Sequence, residues 1–260
     1  MRILITGATG FVGRRLMSLG SFIGTSTAEC DIRDRAAVEA LFARVRPDAV
    51  IHTASGRDDW AAIADGTANV ASCCDGVRLV HVSSDAIFAG RGASEAGHAQ
   101  EEGRPSEYDE SEKPDPLYRY GAAKAAAETA VRVLQPTAAI VRTSLVLGPG
   151  SAHEKLVHDG ATLFTDMIRK PLHVNDLADA LLELASSSYA GVLNVAGTDP
   201  ISRYDLGVRI AGSAGKVRAG SIAESGLRLP TDVRLDVSKA RTVLRTRVRG
   251  VDEFLPAGTR

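Results

Sequence analysis

Two side chains near the middle of the chain, Tyr120 and Lys124, are spaced so that they could perform acid–base chemistry together. They lie in residues 120–134, a stretch rich in alanine, lysine and glutamate that predicts a helix ending before Pro136. Positions i and i+4 share one face of a helix. Because an ammonium group favours a nearby phenolate, we expect Lys124 to lower the pKa of Tyr120 from its usual value of about 10. Such a tyrosine can donate a proton to a carbonyl oxygen as hydride reaches the carbon.

A serine hydroxyl follows another apolar run and could complete this set. Residues 78–82 predict a strand, and Ser83, Ser84 and Asp85 come directly after it. Ligands of open parallel sheets bind beyond the carboxyl ends of the strands. We therefore expect Ser84 to hold a carbonyl oxygen as that oxygen gains charge.

A glycine-rich turn occupies residues 7–13, directly after the apolar residues 2–6. A strand that runs through such a turn into a helix can bind a pyrophosphate. The glycines allow a close backbone approach, and the helix N-terminus supplies free N–H groups. The spacing is G-x-x-G-x-x-G, whereas the usual dinucleotide pattern is G-x-G-x-x-G. Considered alone, the segment could also be an ordinary strand-to-helix turn.

The elements that must position these groups alternate between strands and helices. We predict strands over residues 2–6, 48–53, 78–82, 138–142 and 191–195, and helices over 36–45, 61–73 and 120–134. Interleaving of this kind is typical of a parallel sheet covered on both faces. The fold class is therefore α/β, with a Rossmann-type doubly wound parallel sheet and a small C-terminal substrate lobe.

The chain divides into two predicted parts. Residues 1–150, with 171–198 returning to them, form a dinucleotide-binding Rossmann domain, and residues 151–170 and 199–260 form a small substrate-binding lobe. Residues 89–116 are rich in glycine, glutamate, serine and proline, which predicts a long loop. Loops of this length are often lids or binding loops.

Composition restricts the class of function. The 260 residues carry a net charge of -1, which gives no nucleic-acid signature, and no apolar run is long enough to span a membrane. The cysteines (Cys30, Cys73 and Cys74) have neither disulfide nor zinc-ligand spacing, so we expect reduced thiols, a cytoplasmic location and no metal site. Residues 201–260 contain twelve Lys/Arg and six Asp/Glu, an excess that could attract an anionic substrate.

Several motifs in order resemble the extended or atypical short-chain dehydrogenase/reductases, in particular the dTDP-4-dehydrorhamnose reductase-like branch. The motifs are residues 5–13, 30–34, 47–52, 65–69, 82–85, 120–124, 142–144, 173–178 and 201–204. The resemblance implies that Tyr120 is the acid/base, that Lys124 supports it and binds a ribose, and that Ser84 orients the substrate carbonyl.

The resemblance also implies a nicotinamide cofactor site. The pyrophosphate would lie on Gly7, Gly10, Phe11, Val12 and Gly13, the adenine beside Asp31 and Ile32, and the ribose and pyrophosphate along Thr53, Ala54 and Ser55, with Arg142 in the strand below the nicotinamide. The choice between NADP and NAD stays open. No acid ends the second predicted strand, near residues 22–26, and Arg14 and Arg15 could meet a 2′-phosphate, so we favour NADP. Alternatively, these arginines form the exposed face of the first helix.

The departures from this family fall mostly on the substrate side. Ala86 and the leucines at positions 145 and 147 stand where the branch usually has aromatic residues, and Ile63 stands where an asparagine is expected. We predict an NAD(P)-dependent reductase of a keto group on a nucleotide-activated sugar or related polar metabolite. The alternatives are a sugar-nucleotide epimerase or dehydratase and a non-catalytic NADP-binding regulatory subunit. We expect no nucleic-acid or membrane partner; the sequence leaves the oligomeric state open, with a homodimer as one option.

Overall fold

A computed structural model describes residues 1–56, 58–90 and 107–257 of the chain. The strands are β1 (Ile3–Thr6), β2 (Ile23–Thr25), β3 (Ala49–His52), β4 (Arg78–Ser84), β5 (Ala139–Thr143), β6 (Val146–Leu147), β7 (Thr162–Phe164), β8 (Ile168–Arg169), β9 (Leu172–His173), β10 (Gly191–Val195), β11 (Ile201–Ser202) and β12 (Arg218–Gly220). The α-helices are α1 (Phe11–Met17), α2 (Arg35–Val45), α3 (Gly66–Ser72), α4 (Arg119–Leu134), α5 (Ala152–His158), α6 (Val174–Ala185), α7 (Arg203–Ala211), α8 (Ile222–Ser225), α9 (Ser238–Val243) and α10 (Val251–Phe254).

Six strands form one parallel sheet in the order β10-β5-β4-β3-β1-β2. The chain changes direction across the sheet between β1 and β3. Ligands of doubly wound sheets bind at such a point, beyond the carboxyl ends of the strands. The glycine turn follows β1 and residues 53–55 follow β3, so both lie beside this point. The predicted Rossmann-type fold is confirmed.

Both faces of the sheet are buried, which explains why its strands are apolar almost throughout. Neighbouring residues of β1 point to opposite faces: Ile5 lies in one core cluster with Leu181 of α6, and Leu4 lies in the other with Val131 of α4. A parallel sheet needs this double cover, since its crossover helices lie on both faces.

The helices and strands depart from their predicted bounds in ways that bear on the site. β4 continues past residue 82 to Ser84, so both serines belong to the strand. The stretch predicted as one helix over 61–73 begins as a π-helical turn, Ala61–Asp65, and continues as α3. The start of α2 follows its expected cap, because the Asp34 carboxylate accepts hydrogen bonds from the backbone N–H groups of Ala36 and Ala37.

Residues after β10 form short pairs outside the main sheet. β11 pairs antiparallel with β8, and β12 pairs parallel with β7. A small apolar cluster of Leu147, Ile201, Leu206 and Val251 lies there. The division into a Rossmann domain and a C-terminal lobe stays a prediction. Most of the loop predicted over 89–116 lies outside the described residues.

Candidate active site

The glycine turn is packed so tightly that side chains would not fit at its key positions. Gly7 has φ +74°, and a Cβ there would lie 2.6 Å from the backbone nitrogen of Ala54. A Cβ on Gly13 would overlap the carbonyl oxygen of Gly7. Gly10, whose N–H donates to Gly7 at 2.9 Å, precedes α1 directly. The backbone therefore forms a cradle without side chains at the start of a helix, which fits a pyrophosphate.

The residues after β3 continue this cradle. The hydroxyl of Thr53 donates to the carbonyl oxygen of Thr6 at 2.7 Å, which joins the ends of β3 and β1. Ser55 lines a cleft of about 360 Å³ together with Tyr118 and Tyr120. Residues 53–55 thus connect the glycine turn to the tyrosine expected to act on substrate.

Asp31 and Ile32 lie further along the same edge, between β2 and α2. The Asp31 carboxylate forms an ion pair of 2.6 Å with Arg33. The side chain of Ile32 packs against Gly66, where a Cβ would lie 2.7 Å from Ile32 Cγ1. Asn69 donates through Nδ2 to the carbonyl oxygen of Ile32 at 2.9 Å. These contacts hold Asp31 and Ile32 in place beside the predicted adenine site.

Arg14 lies against the glycine turn. Its Nη1 donates to the carbonyl oxygen of Thr9 at 2.7 Å. The turn itself is joined to the end of β2, because the N–H of Ala8 donates to the carbonyl oxygen of Thr25 at 3.1 Å. The Arg14 side chain also lines, together with Phe11, Arg15 and His173, a cavity of about 440 Å³ beside the turn. Arg15 instead donates to the hydroxyl of Ser18, on its own helix.

Tyr120 meets Ser84, but its acidity differs from the prediction. Burial raises the pKa of Tyr120 above its usual value, and this effect outweighs the opposite effect of the nearby Ser84 and Ser55 hydroxyls. The expectation that Lys124 lowers this pKa is wrong. Lys124 Nζ lies 6.0 Å from the centre of the Tyr120 ring and donates instead to the carbonyl oxygen of Val82 at 3.0 Å.

Lys124 is itself perturbed. Only 4% of the residue is exposed. This burial lowers its pKa to about 8, although the carboxylate of Glu128 acts in the opposite direction. Lysine and tyrosine therefore have shifted pKa values on one helix face, as expected of a site that moves protons.

A buried ion pair lies one turn further along α4. Glu128 accepts from the hydroxyl of Ser83 at 2.6 Å and pairs with Arg142 at 2.9 Å. Arg142 is 0% exposed, and its guanidinium lies 5.2 Å from the ring centre of Phe88. Contrary to the prediction, the structure does not bring Arg142 to the cofactor surface, because its guanidinium is used to neutralise Glu128 inside the protein.

Sequence reasoning gave no role to a histidine pair behind Lys124. His52 and His81 stack with ring centres 5.4 Å apart. The nitrogens of His52 bond to the hydroxyls of Thr6, at 2.6 Å, and Thr67, at 3.0 Å. Burial and the charge of Lys124 lower the pKa of His52 to about 3, so this ring is neutral. No sequence pattern distinguishes these two histidines from other polar residues in strands, so the sequence did not indicate that their rings stack.

Sequence reasoning also missed a polar cluster on the substrate side. Asp85 accepts from the hydroxyl of Ser144 at 2.6 Å and lies 3.5 Å from Nε of Arg169. Asp85 follows Ser84 directly and could have been singled out. Nothing in the sequence marks Arg169 as its partner.

The sheet, the glycine turn and the Ser84–Tyr120–Lys124 set define a Rossmann-type oxidoreductase of the extended short-chain dehydrogenase/reductase class. Within that class, the chain belongs to the RmlD substrate binding domain family, whose model matches residues 1–255. The resemblance inferred from the sequence is confirmed.

Individual relatives agree with this assignment. The chain is 31% identical to a dTDP-4-dehydrorhamnose reductase of Mycobacterium tuberculosis, over 78% of this chain and 72% of the relative. It is 28% identical to the methionine adenosyltransferase 2 subunit beta of Xenopus laevis, over 81% and 71% respectively. A crystal structure of the dTDP-4-dehydrorhamnose reductase from Bacillus anthracis in complex with NADP superposes with a TM-score of 0.85 at 25% identity, covering 98% of this chain and 96% of that one.

Proposed function

We propose that this chain is an NADP-dependent reductase of a keto group on a nucleotide-activated sugar, with dTDP-4-dehydrorhamnose as the first substrate to test. The observation that supports this best is the contact between Tyr120 and Ser84 at the carboxyl edge of the sheet that also bears the glycine turn. The relatives named dTDP-4-dehydrorhamnose reductase support the choice of substrate.

Each residue of the catalytic set has a distinct role. Ser84 holds the carbonyl oxygen of the substrate by a hydrogen bond, and Tyr120 donates a proton to that oxygen as its charge develops. The raised pKa of Tyr120 suits this direction, because the phenol stays protonated at neutral pH. Lys124, whose Nζ lies 6.0 Å from the centre of the Tyr120 ring, binds the nicotinamide ribose. NADPH, when bound, would supply the hydride.

The cofactor lies along the carboxyl edge of the sheet in this proposal. The backbone of residues 7–13 would hold the pyrophosphate, Asp31 and Ile32 would lie beside the adenine, and residues 53–55 would line the ribose. Arg14 would pair with the 2′-phosphate, which favours NADP over NAD. The relative solved in complex with NADP supports the same cofactor.

The remaining expectations are part of the same proposal. Residues 151–170 and 199–260 act as the substrate lobe, an assignment supported by their separate strand pairs and apolar cluster. A cytoplasmic location is supported by three free cysteines. Among the described residues, no helix has the length and apolar character that crossing a bilayer requires. The homodimer stays a prediction, which sedimentation equilibrium tests.

The experiment follows NADPH oxidation with dTDP-4-dehydrorhamnose for the wild type and for Tyr120→Phe. We expect the variant to lose about 10²- to 10⁴-fold in kcat, since it lacks the proton donor, and to keep its affinity for NADPH. Tyr189→Phe is the matched control, because the hydroxyl of the half-buried Tyr189 donates to the carbonyl oxygen of Val192, near the amino end of β10. Full turnover by Tyr120→Phe would overturn the assignment of the acid.

A regulatory role is the second candidate, favoured by the likeness to a methionine adenosyltransferase beta subunit. It predicts that the wild type binds NADPH, reduces no nucleotide sugar and copurifies with a stoichiometric enzyme subunit. Turnover of dTDP-4-dehydrorhamnose that depends on Tyr120 contradicts it.

A further inference from the structure

The hydroxyl of Ser84 has a partner inside the protein that competes with a substrate for its proton. It donates to the Oδ1 atom of Asp85 at 3.3 Å and accepts from the backbone N–H of Ala86 at 3.2 Å. A serine hydroxyl carries one proton. That proton is therefore directed towards Asp85, whereas the proposed reaction needs it at the carbonyl oxygen of the substrate.

The other carboxylate oxygen of Asp85 contacts two different groups. Its Oδ2 atom accepts from the hydroxyl of Ser144 at 2.6 Å and lies 3.5 Å from Nε of Arg169. Asp85 and Arg169 are each 6% exposed. Among the residues that the structure describes, Arg169 is the one cation that forms an ion pair with Asp85. A buried carboxylate depends on such a partner, because little water reaches its charge.

The guanidinium of Arg169 is held in place by groups other than Asp85. Its Nη1 donates to the carbonyl oxygens of Ile168, at 2.7 Å, and Thr231, at 2.6 Å. Its Nη2 donates to the carbonyl oxygen of Pro230 at 2.9 Å. These bonds fix the planar group, so its positive charge stays beside Asp85 whichever donor Asp85 accepts from.

The charge of Asp85 also reaches the tyrosines of the cleft. Burial is the main cause of the raised pKa of Tyr120, and the charge of Asp85 raises this pKa further. Burial and the charge of Asp85 raise the pKa of Tyr118 to about 12, while Arg169 and Arg203 act in the opposite direction. Arg169 therefore weakens the negative potential that Asp85 produces at this edge of the cleft.

We propose that Arg169 is a positioning residue that balances the charge of Asp85 and so frees the Ser84 hydroxyl to donate to the carbonyl oxygen of the substrate. The inference rests on the proposed function, and Arg169 acts in it through Ser84 rather than on the substrate. A carboxylate whose charge is balanced by a guanidinium is a weaker acceptor for a further donor, so the substrate oxygen can take the serine proton. Without Arg169, Asp85 keeps that proton, and Ser84 no longer stabilises the oxygen as its charge develops.

Steady-state reduction of dTDP-4-dehydrorhamnose tests this with Arg169→Met in three backgrounds: wild type, Asp85→Asn and Ser84→Ala. In the wild-type background we expect kcat to fall about 10- to 100-fold, because one donor to the developing oxyanion is lost. KM and the Kd for NADPH should change by less than about threefold, since Arg169 contacts neither ligand in this proposal. In the other two backgrounds the further loss should be less than about threefold, because the acceptor or the donor is already gone.

Three further variants control for the loss of a buried arginine. Arg169→Lys should recover most of kcat, because it keeps a positive charge beside Asp85. Ser144→Ala removes the other partner of Oδ2 and should lower kcat about 3- to 10-fold, so it provides the same test if Arg169→Met does not fold. Arg234→Met is the matched control and should keep full activity, since Arg234 pairs with Asp232, at 2.6 Å.

An unchanged kcat in folded Arg169→Met overturns the proposal and leaves the proposed function intact. An equal loss in all three backgrounds also overturns it, because Arg169 would then have a structural role only. So does a loss that disappears in Asp85→Asn but persists in Ser84→Ala, because Asp85 would then act without the serine. If the wild type reduces cyclohexanone but no nucleotide sugar, the proposed function fails, and the same variants assayed with cyclohexanone decide the role of Arg169. A wild type that reduces neither overturns both proposals.

Discussion

The glycine turn at residues 7–13 keeps its shape through the backbone, whereas the cluster of Asp85, Ser144 and Arg169 keeps its shape through side chains. In the turn, Gly7 and Gly13 approach neighbouring backbone so closely that a Cβ would collide with it. In the cluster, each group comes from a different segment: the hydroxyl of Ser144 donates to Asp85, and Nε of Arg169 lies 3.5 Å from the same carboxylate.

The two regions therefore tolerate different amino-acid substitutions. A backbone cradle binds what all nicotinamide dinucleotides share, and any added side chain damages it. A side-chain cluster can change residue by residue and so change which substrate is bound, while the fold stays intact. The family departures at Ile63 and Ala86 also lie outside the turn, in agreement with this division.

The largest expected effect concerns Arg142, which was predicted to lie at the cofactor but is buried in the interior. Arg142→Met leaves Glu128 buried with its charge poorly compensated, so we expect the free energy of unfolding to fall by about 3–5 kcal/mol. The folded variant should bind NADPH with unchanged Kd. Chemical denaturation and titration measure the two quantities. Arg132→Met is the control: it also removes a partner of Glu128, but this arginine is 47% exposed, and we expect a loss of about 1 kcal/mol or less. A weaker NADPH affinity with unchanged stability would show that Arg142 contacts the cofactor.

Gly13→Ala tests the cradle itself. The new Cβ would overlap the backbone of Gly7, so the turn must shift, and we expect a stability loss of about 1–3 kcal/mol. The Kd for NADPH should rise at least about tenfold, because the shifted N–H groups no longer meet the pyrophosphate. Gly215→Ala is the matched control, since a Cβ there would meet only Ser213 Oγ, at 3.9 Å. Equal NADPH affinities in the two variants would show that the turn is an ordinary strand-to-helix connection.

Arg14→Ala tests which nicotinamide cofactor the same region selects. Loss of a charge-assisted contact to the 2′-phosphate should raise the Kd for NADPH about tenfold and leave the Kd for NADH unchanged. Arg15→Ala, which removes a side chain bonded to Ser18, should change neither. Equal losses for both cofactors in Arg14→Ala would place this arginine at the pyrophosphate instead.

The most gradual effect is a pH dependence of stability that comes from Lys124. Its pKa in the folded protein is about 8, below the ordinary value of 10.5. Between these values the unfolded chain holds a proton that the folded protein has lost, so raising the pH stabilises the folded state. The free energy of unfolding of the wild type, relative to Lys124→Met, should therefore increase from pH 8 to pH 10.5, by at most about 1.4 kcal/mol per pH unit. Denaturant titrations across this range measure it. A flat or falling difference contradicts a depressed lysine pKa.

The sequence predicted most where the relevant residues are local. The glycine spacing lies within one turn, and Tyr120 and Lys124 lie within one helix, so period and propensity were enough to place them. The Asp34 cap of α2 was visible for the same reason. Apolar runs also predicted the buried strands of the sheet.

The remainder depends on contacts between distant segments. Burial decides the pKa of Tyr120, and burial is a property of the whole fold rather than of helix spacing. The role of Arg142 follows from Glu128 on another element, and the position of Arg169 follows from Asp85 on another. No local pattern encodes these encounters.

The central claim is that hydride passes from a nicotinamide cofactor bound at the glycine turn to a sugar bound near Asp85, Ser144 and Arg169. Tyr120 supplies the proton. It is tested most directly with NADPH deuterated at the transferred position and dTDP-4-dehydrorhamnose, by mass spectrometry of the product. We predict one deuterium on the former carbonyl carbon for each NADPH consumed, and no labelled product from Tyr120→Phe above a small residual rate. A product that forms without deuterium and without net consumption of NADPH would contradict the claim and indicate an epimerase or dehydratase.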